Sequence, residues 1–321
     1  MVIFQISRFR APLLILLLLA ANASIAADEV LKPFILAAVS DSGNIAETTL
    51  AIRNKLSTAG FEVIGEYEPY ENTNLLIFTN QALRELATRS ARGGYGAVLR
   101  ASITSNDGKI EIAYTNPYYW ANAYRMQADV DEVATVLKGA LGSMSEFGSG
   151  ELALTARDLR KYHYTFMMEY FDDPSLLNYF DSHQQAVATV RQNLANRVAA
   201  STQVFELPLA ADSRGKQMTL FGVGLIGADQ DDCSSDRYIM GKIDKGSPRH
   251  SAHLPYEILV YGDQVEALYA RFRIAVSWPH LPMIASETGA TFFSIMCAPG
   301  AIEDALMKIA GGSRISSGAE K

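Results

Sequence analysis

The sequence predicts an α+β protein built of two related sheet-plus-helix lobes joined by a helical middle segment. Three observations predict it. Residues 34–141 mix apolar strand-like runs, amphipathic helices and a hairpin. A similar hairpin followed by a helix recurs over residues 256–310. The stretch between them, 150–200, reads as helix.

Phe34-Ile-Leu-Ala-Ala-Val39 opens the first lobe as an apolar strand. Asp41-Ser-Gly-Asn44 supplies a turn and a cap, and Ile45, Thr49, Ile52 and Leu56 form a helical stripe that Gly60 ends. Residues 61–67 and 75–79 return as strands, and Asn80 caps a second helix running to about Ser90. A hairpin follows, with strands from Tyr95 to Thr104 and from Lys109 to Thr115 about an Asp107-Gly108 turn. Asp129 to Leu141 closes the lobe as a helix. In the middle, Thr155 caps a helix through Tyr170, Asp172-Asp-Pro174 stops it, and Ser182 to Ala200 forms another. The second lobe reads as strands over 220–226 and 237–243, a hairpin pairing Tyr256–Tyr261 with Val265–Ser277, and a closing helix from Pro299 to Ala310.

Both hairpins end in a proline, Pro117 and Pro279, and each precedes one amphipathic helix. A period above 100 residues describes duplication of a domain, not a solenoid. The expected division is a leader over 1–27, a first lobe over 28–145, a helical connector over 150–200, a second lobe over 201–312 and a disordered tail over 313–321.

Several stretches carry a family likeness: Glu47-Thr-Thr-Leu with Leu56-Ser-Thr-Ala-Gly-Phe61, the strand Asn74-Leu-Leu-Ile-Phe-Thr-Asn80, and the hairpin end Ile112-Ala-Tyr-Thr-Asn-Pro117. On these residues 34–141 resemble the bacterial family named domain of unknown function 302. Leu254-Pro-Tyr-Glu-Ile-Leu-Val-Tyr-Gly262 resembles the leucine-proline hairpin entry of the same family, so residues 216–310 form a fainter second copy. The strand proline usual before the run at Leu75 is missing. The resemblance implies a small α+β sandwich and brings no catalytic residues.

The first 27 residues carry the export pattern. Arg8 and Arg10 precede an apolar run from Ala11 to Ala21, and small residues lead to cleavage after Ala26 or Ala27. That run is short for a span of about 30 Å of hydrocarbon. The expected address is the periplasm, with no stable membrane insertion after cleavage. Loss of two leader arginines leaves 26 basic against 35 acidic residues, a net charge of −9. The basic residues are scattered, so no nucleic-acid partner is expected. Cys233 and Cys297 are the only cysteines, and export to an oxidising compartment permits a disulfide between them. Two buried free thiols is the other reading.

Chemistry-bearing patterns are sparse. There is no Gly-x-Ser-x-Gly elbow, no phosphate loop and no Cys-x-x-Cys-His, which excludes covalent c-type haem. On a helix, His163 and Met167 are four residues apart on one face, with Met168 adjacent. Imidazole with thioether suits copper or non-covalent haem iron. The other reading is a core helix packed through its Met and aromatic residues. His250 and His253 are three apart, a metal spacing only if that segment is helical. Tyr114, Asn116, Tyr118 and Trp120, with Arg100 and Arg125, have the composition of a recognition surface, or of a sheet end covered by a helix.

The function expected is therefore an exported, non-enzymatic binding or accessory module, without a cofactor. Its partner would be an envelope protein or a small ligand. Alternatives are a copper or haem protein using the His163/Met167 helix, and an enzyme with a dispersed site near Arg100 and Tyr114.

Overall fold

The computed structural model describes residues 29–127 and 129–313. The leader over 1–27 and all but the first residue of the tail over 313–321 lie outside the described residues.

The first lobe runs β1 (Phe34–Ser40), α1 (Ile45–Thr58), β2 (Glu62–Tyr67), β3 (Thr73–Thr79), α2 (Gln81–Thr88), β4 (Leu99–Asn106), β5 (Lys109–Thr115), α3 (Pro117–Ala123), α4 (Asp131–Leu141) and β6 (Ser145–Phe147). Its strands form an antiparallel sheet in the order β2-β3-β4-β5-β1-β6. A single turn, α5 (Ala156–Leu159), follows.

The second lobe runs β7 (Ser175–Tyr179), α6 (His183–Ala195), β8 (Ser201–Leu209), β9 (Met218–Leu225), α7 (Asp236–Ile243), β10 (Tyr256–Tyr261), β11 (Gln264–Ala267), α8 (Ala270–Ser277) and α9 (Ala298–Ile309). Its antiparallel sheet reads β8-β9-β10-β11-β7. Matched element by element, this is the first lobe's β2-β3-β4-β5-β1. The two lobes therefore share an element order and a strand order, and the fold is α+β.

The helices form where the sequence caps them. The Asn44 side chain accepts from the Ala46 amide at 2.7 Å, and that of Asn80 from the Leu83 amide at 2.8 Å. α1 buries Thr49, Ile52 and Leu56, and α4 buries Val133, Leu137 and Leu141, against one face of the first sheet. Each fully buried Leu or Ile contributes about 1.5–3 kcal/mol. α6 and α9 cover the equivalent face of the second sheet.

The two uncovered faces turn towards each other. There the lobes clasp reciprocally. After α2, the short 3-10 helix Gly93–Gly96 packs on the second sheet; after α7, Ser251–His253 packs on the first. Arg92 Nε, just before the first of these, donates to Glu266 of β11 at 2.8 Å. The Arg249 amide, just before the second, donates to Glu111 of β5 at 2.9 Å. Both glutamates are buried and both are the third residue of their strand. The approach at Gly94 is close: a Cβ there would stand 2.9 Å from the Leu259 side chain, which would have to shift.

Five expected elements differ. The helix over 155–170 is only α5, because the Thr155–Asp158 capping box is followed by successive turns, and Met167 adopts φ +68°. The stretch 175–195, expected inside a helical connector, contributes β7 and α6 to the second lobe. The strand over 237–243 is helix α7, whose start is capped by Ser235 Oγ accepting from the Tyr238 amide at 3.1 Å. The long strand over 265–277 divides into β11 and α8. Seven of the eight α8 residues are buried, so burial on all sides erases the helical period from the sequence. The first hairpin strand begins at Leu99, not Tyr95, since Gly93–Gly96 is 3-10 helix.

Candidate functional site

The expected recognition surface around Asn116 and Pro117 is interior. Arg100 leaves β4 on its inward face and pairs with Glu257 of β10 across the lobe contact, both side chains buried. Arg273 of α8 adds a third charge: it donates to Tyr124 Oη at 2.9 Å and to the His253 carbonyl at 2.7 Å, with its guanidinium 5.2 Å from the Trp120 ring centre. Trp120 donates to the Pro33 carbonyl at 2.8 Å. Asn116 is the buried cap of α3, accepting from the Tyr118 amide at 3.1 Å. Tyr114 is buried and donates to the Gly142 carbonyl at 3.0 Å. It lies on the opposite face of the first sheet from Arg100, because its direct partner in β4 is Ala101. Arg100, Tyr114, Asn116 and Trp120 therefore form no exposed surface, and Arg100 and Tyr114 form no common site. Only Tyr118 and Arg125 reach solvent, and Arg125 pairs with Asp172 at 2.5 Å. Sequence proximity brought these aromatics together; the pleat and the helix cap then turned them inward.

The expected histidine ligands are also placed otherwise. His253 is fully buried, with Nδ1 2.7 Å from Ser277 Oγ and Nε2 3.2 Å from Tyr256 Oη. Burial, with Arg273 and Arg100 nearby, pushes its pKa well below the usual histidine value, so it is neutral. His250 stacks on Trp278 with ring centres 5.0 Å apart, and its Nδ1 lies 3.3 Å from Asp244. Neither pairs with the other for chelation. His163 sits beside Tyr170, ring centres 4.5 Å apart, with Nδ1 2.9 Å from the Thr165 carbonyl. No helix carries it to Met167. Among the described residues no group of three or more His, Cys, Asp or Glu is gathered for a metal ion.

What the structure does assemble is a groove of about 840 Å³ on the second lobe. One wall is the turn 165–168, and the other is the long loop 278–297 running into α9. Its large apolar side chains point outwards: Phe166 is 85% exposed, Met167 83%, Ile284 78% and Met296 70%. Met168, Met283 and Phe293 line it as well. Apolar side chains exposed singly need no explanation, but a contiguous lined concavity marks an interaction site.

The groove is anchored beneath. Tyr164 packs its ring 4.4 Å from that of Phe292 and donates to the Leu281 carbonyl. Arg271 at the start of α8 pairs with Glu169 of the opposite wall. Cys297, at the end of the loop, is disulfide-bonded to Cys233. The walls are thus fixed while their tips remain free, which is the design of a preformed binding site. Of the expected residues, Met167 and Met168 belong to this groove; His163 lies in the adjoining hollow beyond the same turn. Met283, Ile284, Phe293 and Met296 were not foreseen. Their signal is a run of large apolar residues without strand or helix period, set among Pro282, Gly289 and Pro299.

No protein-family model, curated protein or solved structure in the comparisons matches this chain.

Proposed function

We infer that the mature chain is an exported, periplasmic, non-enzymatic binding module, and that its ligand seats in the Met/Phe groove of the second lobe. The observation that carries this reading is the groove itself: anchored walls, exposed Phe, Met and Ile tips, and a volume of about 840 Å³, within the ~300–1,000 Å³ of small-ligand sites. The export pattern of residues 1–27 and the Cys233–Cys297 disulfide support the address. Among the described residues no helix is long and apolar enough to cross a membrane.

The lining is mostly soft hydrocarbon and thioether, with Thr165, Arg271 and Glu303 as its polar side chains, so the groove is expected to take up an apolar probe. N-phenyl-1-naphthylamine, which fluoresces on entering apolar sites, tests it. The purified mature chain is expected to bind the dye at micromolar concentration. A Phe166→Ser/Ile284→Ser variant should lose at least tenfold in affinity. No enhancement, or enhancement unchanged in that variant, would remove the groove from consideration.

A further inference from the structure

The lining of the groove is unusual in one respect that apolar contact alone does not require. Ten methionines occur in the chain, one of them Met1 in the leader, and four of the other nine line this groove. Met167 and Met168 come from one wall and Met283 and Met296 from the other. Leucine or isoleucine would supply the same hydrocarbon with better-defined rotamers. The thioether adds a soft sulfur donor that does not protonate near neutral pH, and soft thioethers select Cu(I) among biological cations. Three of the four side chains are at least 49% exposed. They are unbranched, with three rotatable side-chain bonds each, so every thioether has rotamer freedom at the groove surface. The acidic mature chain, with 35 acidic against 26 basic residues, favours a cation overall. The described residues offer no competing cluster of nitrogen and oxygen ligands.

We propose that the groove binds Cu(I) through the thioethers of Met167, Met168, Met283 and Met296. This rests on the reading of the groove as the binding surface and names its ligand. It replaces the His163/Met167 pairing that a continuous helix would have offered: the four methionines come from both walls of the groove, not from one helix face. The ion is taken up and released as Cu(I), without electron transfer.

The test is anaerobic titration of the mature, disulfide-bonded chain with Cu(I) held by bicinchoninate. The protein is expected to withdraw one equivalent. Replacing the four methionines together by leucine keeps the groove apolar and should weaken Cu(I) binding at least a hundredfold while dye binding stays within threefold. Met144→Leu, which removes an exposed methionine outside the groove, and His163→Gln should each stay within twofold of the parent. Failure of the parent chain to compete with bicinchoninate overturns the proposal, as does full binding by the four-leucine variant. A large loss in His163→Gln overturns the all-thioether assignment. Dye binding without copper binding sinks this inference alone; loss of both in the parent chain sinks the groove as a binding site.

Discussion

The first lobe passes from α3 to α4 in seven residues, 124–130, whereas the second takes twenty, 278–297, between α8 and α9. The first lobe passes from β3 to α2 through Asn80 alone, whereas the second takes ten residues, 226–235, between β9 and α7. Both additions belong to the lobe with the groove. The longer one forms a groove wall, and the two are joined to each other by the Cys233–Cys297 bridge. The shared frame thus supplies the lobe contact, and the departures from it supply the candidate site. Function on a repeated scaffold resides in what one copy has and the other lacks.

This comparison can be broken at several points. The largest effect is expected where the lobes are alike. Arg100→Ala leaves Glu257 buried beside Arg273 alone, and should cost about 3–5 kcal/mol, as breaking buried pairs does. Urea denaturation followed by far-ultraviolet circular dichroism and by tryptophan fluorescence should show one coincident, shifted transition. Two separate transitions would mean that the lobes are independent.

Next comes the bridge between the two additions, closing a loop of 64 residues in separation. A Cys233→Ser/Cys297→Ser variant should lose about 2–4 kcal/mol. Hydrogen exchange should quicken in 278–297 and remain unchanged in 124–130. Uniform quickening would show that the bridge serves the whole molecule.

A third difference is titratable. The first residue of α2 is the exposed Gln81, but that of α7 is the buried Asp236, which accepts from Tyr67 Oη at 2.7 Å and from the Leu225 amide at 3.0 Å. Burial pushes its carboxyl up to about 7. Because the folded value is raised, the protonated carboxyl contributes stability that is fully present below about pH 4. That stability is lost as pH rises through about 7. The melting temperature should therefore decline between about pH 4 and 7, and Asp236→Asn should flatten that decline. A slope unchanged in the variant assigns it to other groups.

The smallest effect on stability is expected at the groove tips. Phe166→Ser should alter folding by no more than about 0.5 kcal/mol, yet dye affinity should fall severalfold. Tyr118→Ser, a partly exposed aromatic of the first lobe, should leave dye affinity unchanged. Equal losses in both would make dye uptake a property of the surface at large.

Much of the frame was legible in the residues. Asp107-Gly108 marked the first hairpin, Asn44 and Asn80 marked two helix starts, and the two hairpins pointed to the repeated lobes. These signals are local: a turn type, a cap, a stripe. The elements that escaped are those whose surroundings decide. α8 is buried on almost every side and shows no stripe. Tyr162 to Tyr170 has core-like spacing, but the backbone turns at Met167 and leaves Phe166 in solvent. The candidate site was the least legible, because its walls are loops some 120 residues apart whose apolar residues obey no period. Cys233 and Cys297 alone hinted that the two additions meet.

The exchange of Arg92 to Glu266 and Arg249 to Glu111 has a mechanical meaning. Each lobe presents the same kind of patch to the other, as the halves of an isologous dimer do, though here one chain supplies both. Hinged opening between them would take Arg92 from Glu266, Arg100 from Glu257, and the Ser247 hydroxyl and Arg249 amide from Glu111, and loss of a buried charge's partner is costly. Opening as a clamshell is therefore opposed by the clasp. The groove lies outside the clasp, and whatever enters it meets a stationary platform, with only the side-chain tips left to adjust.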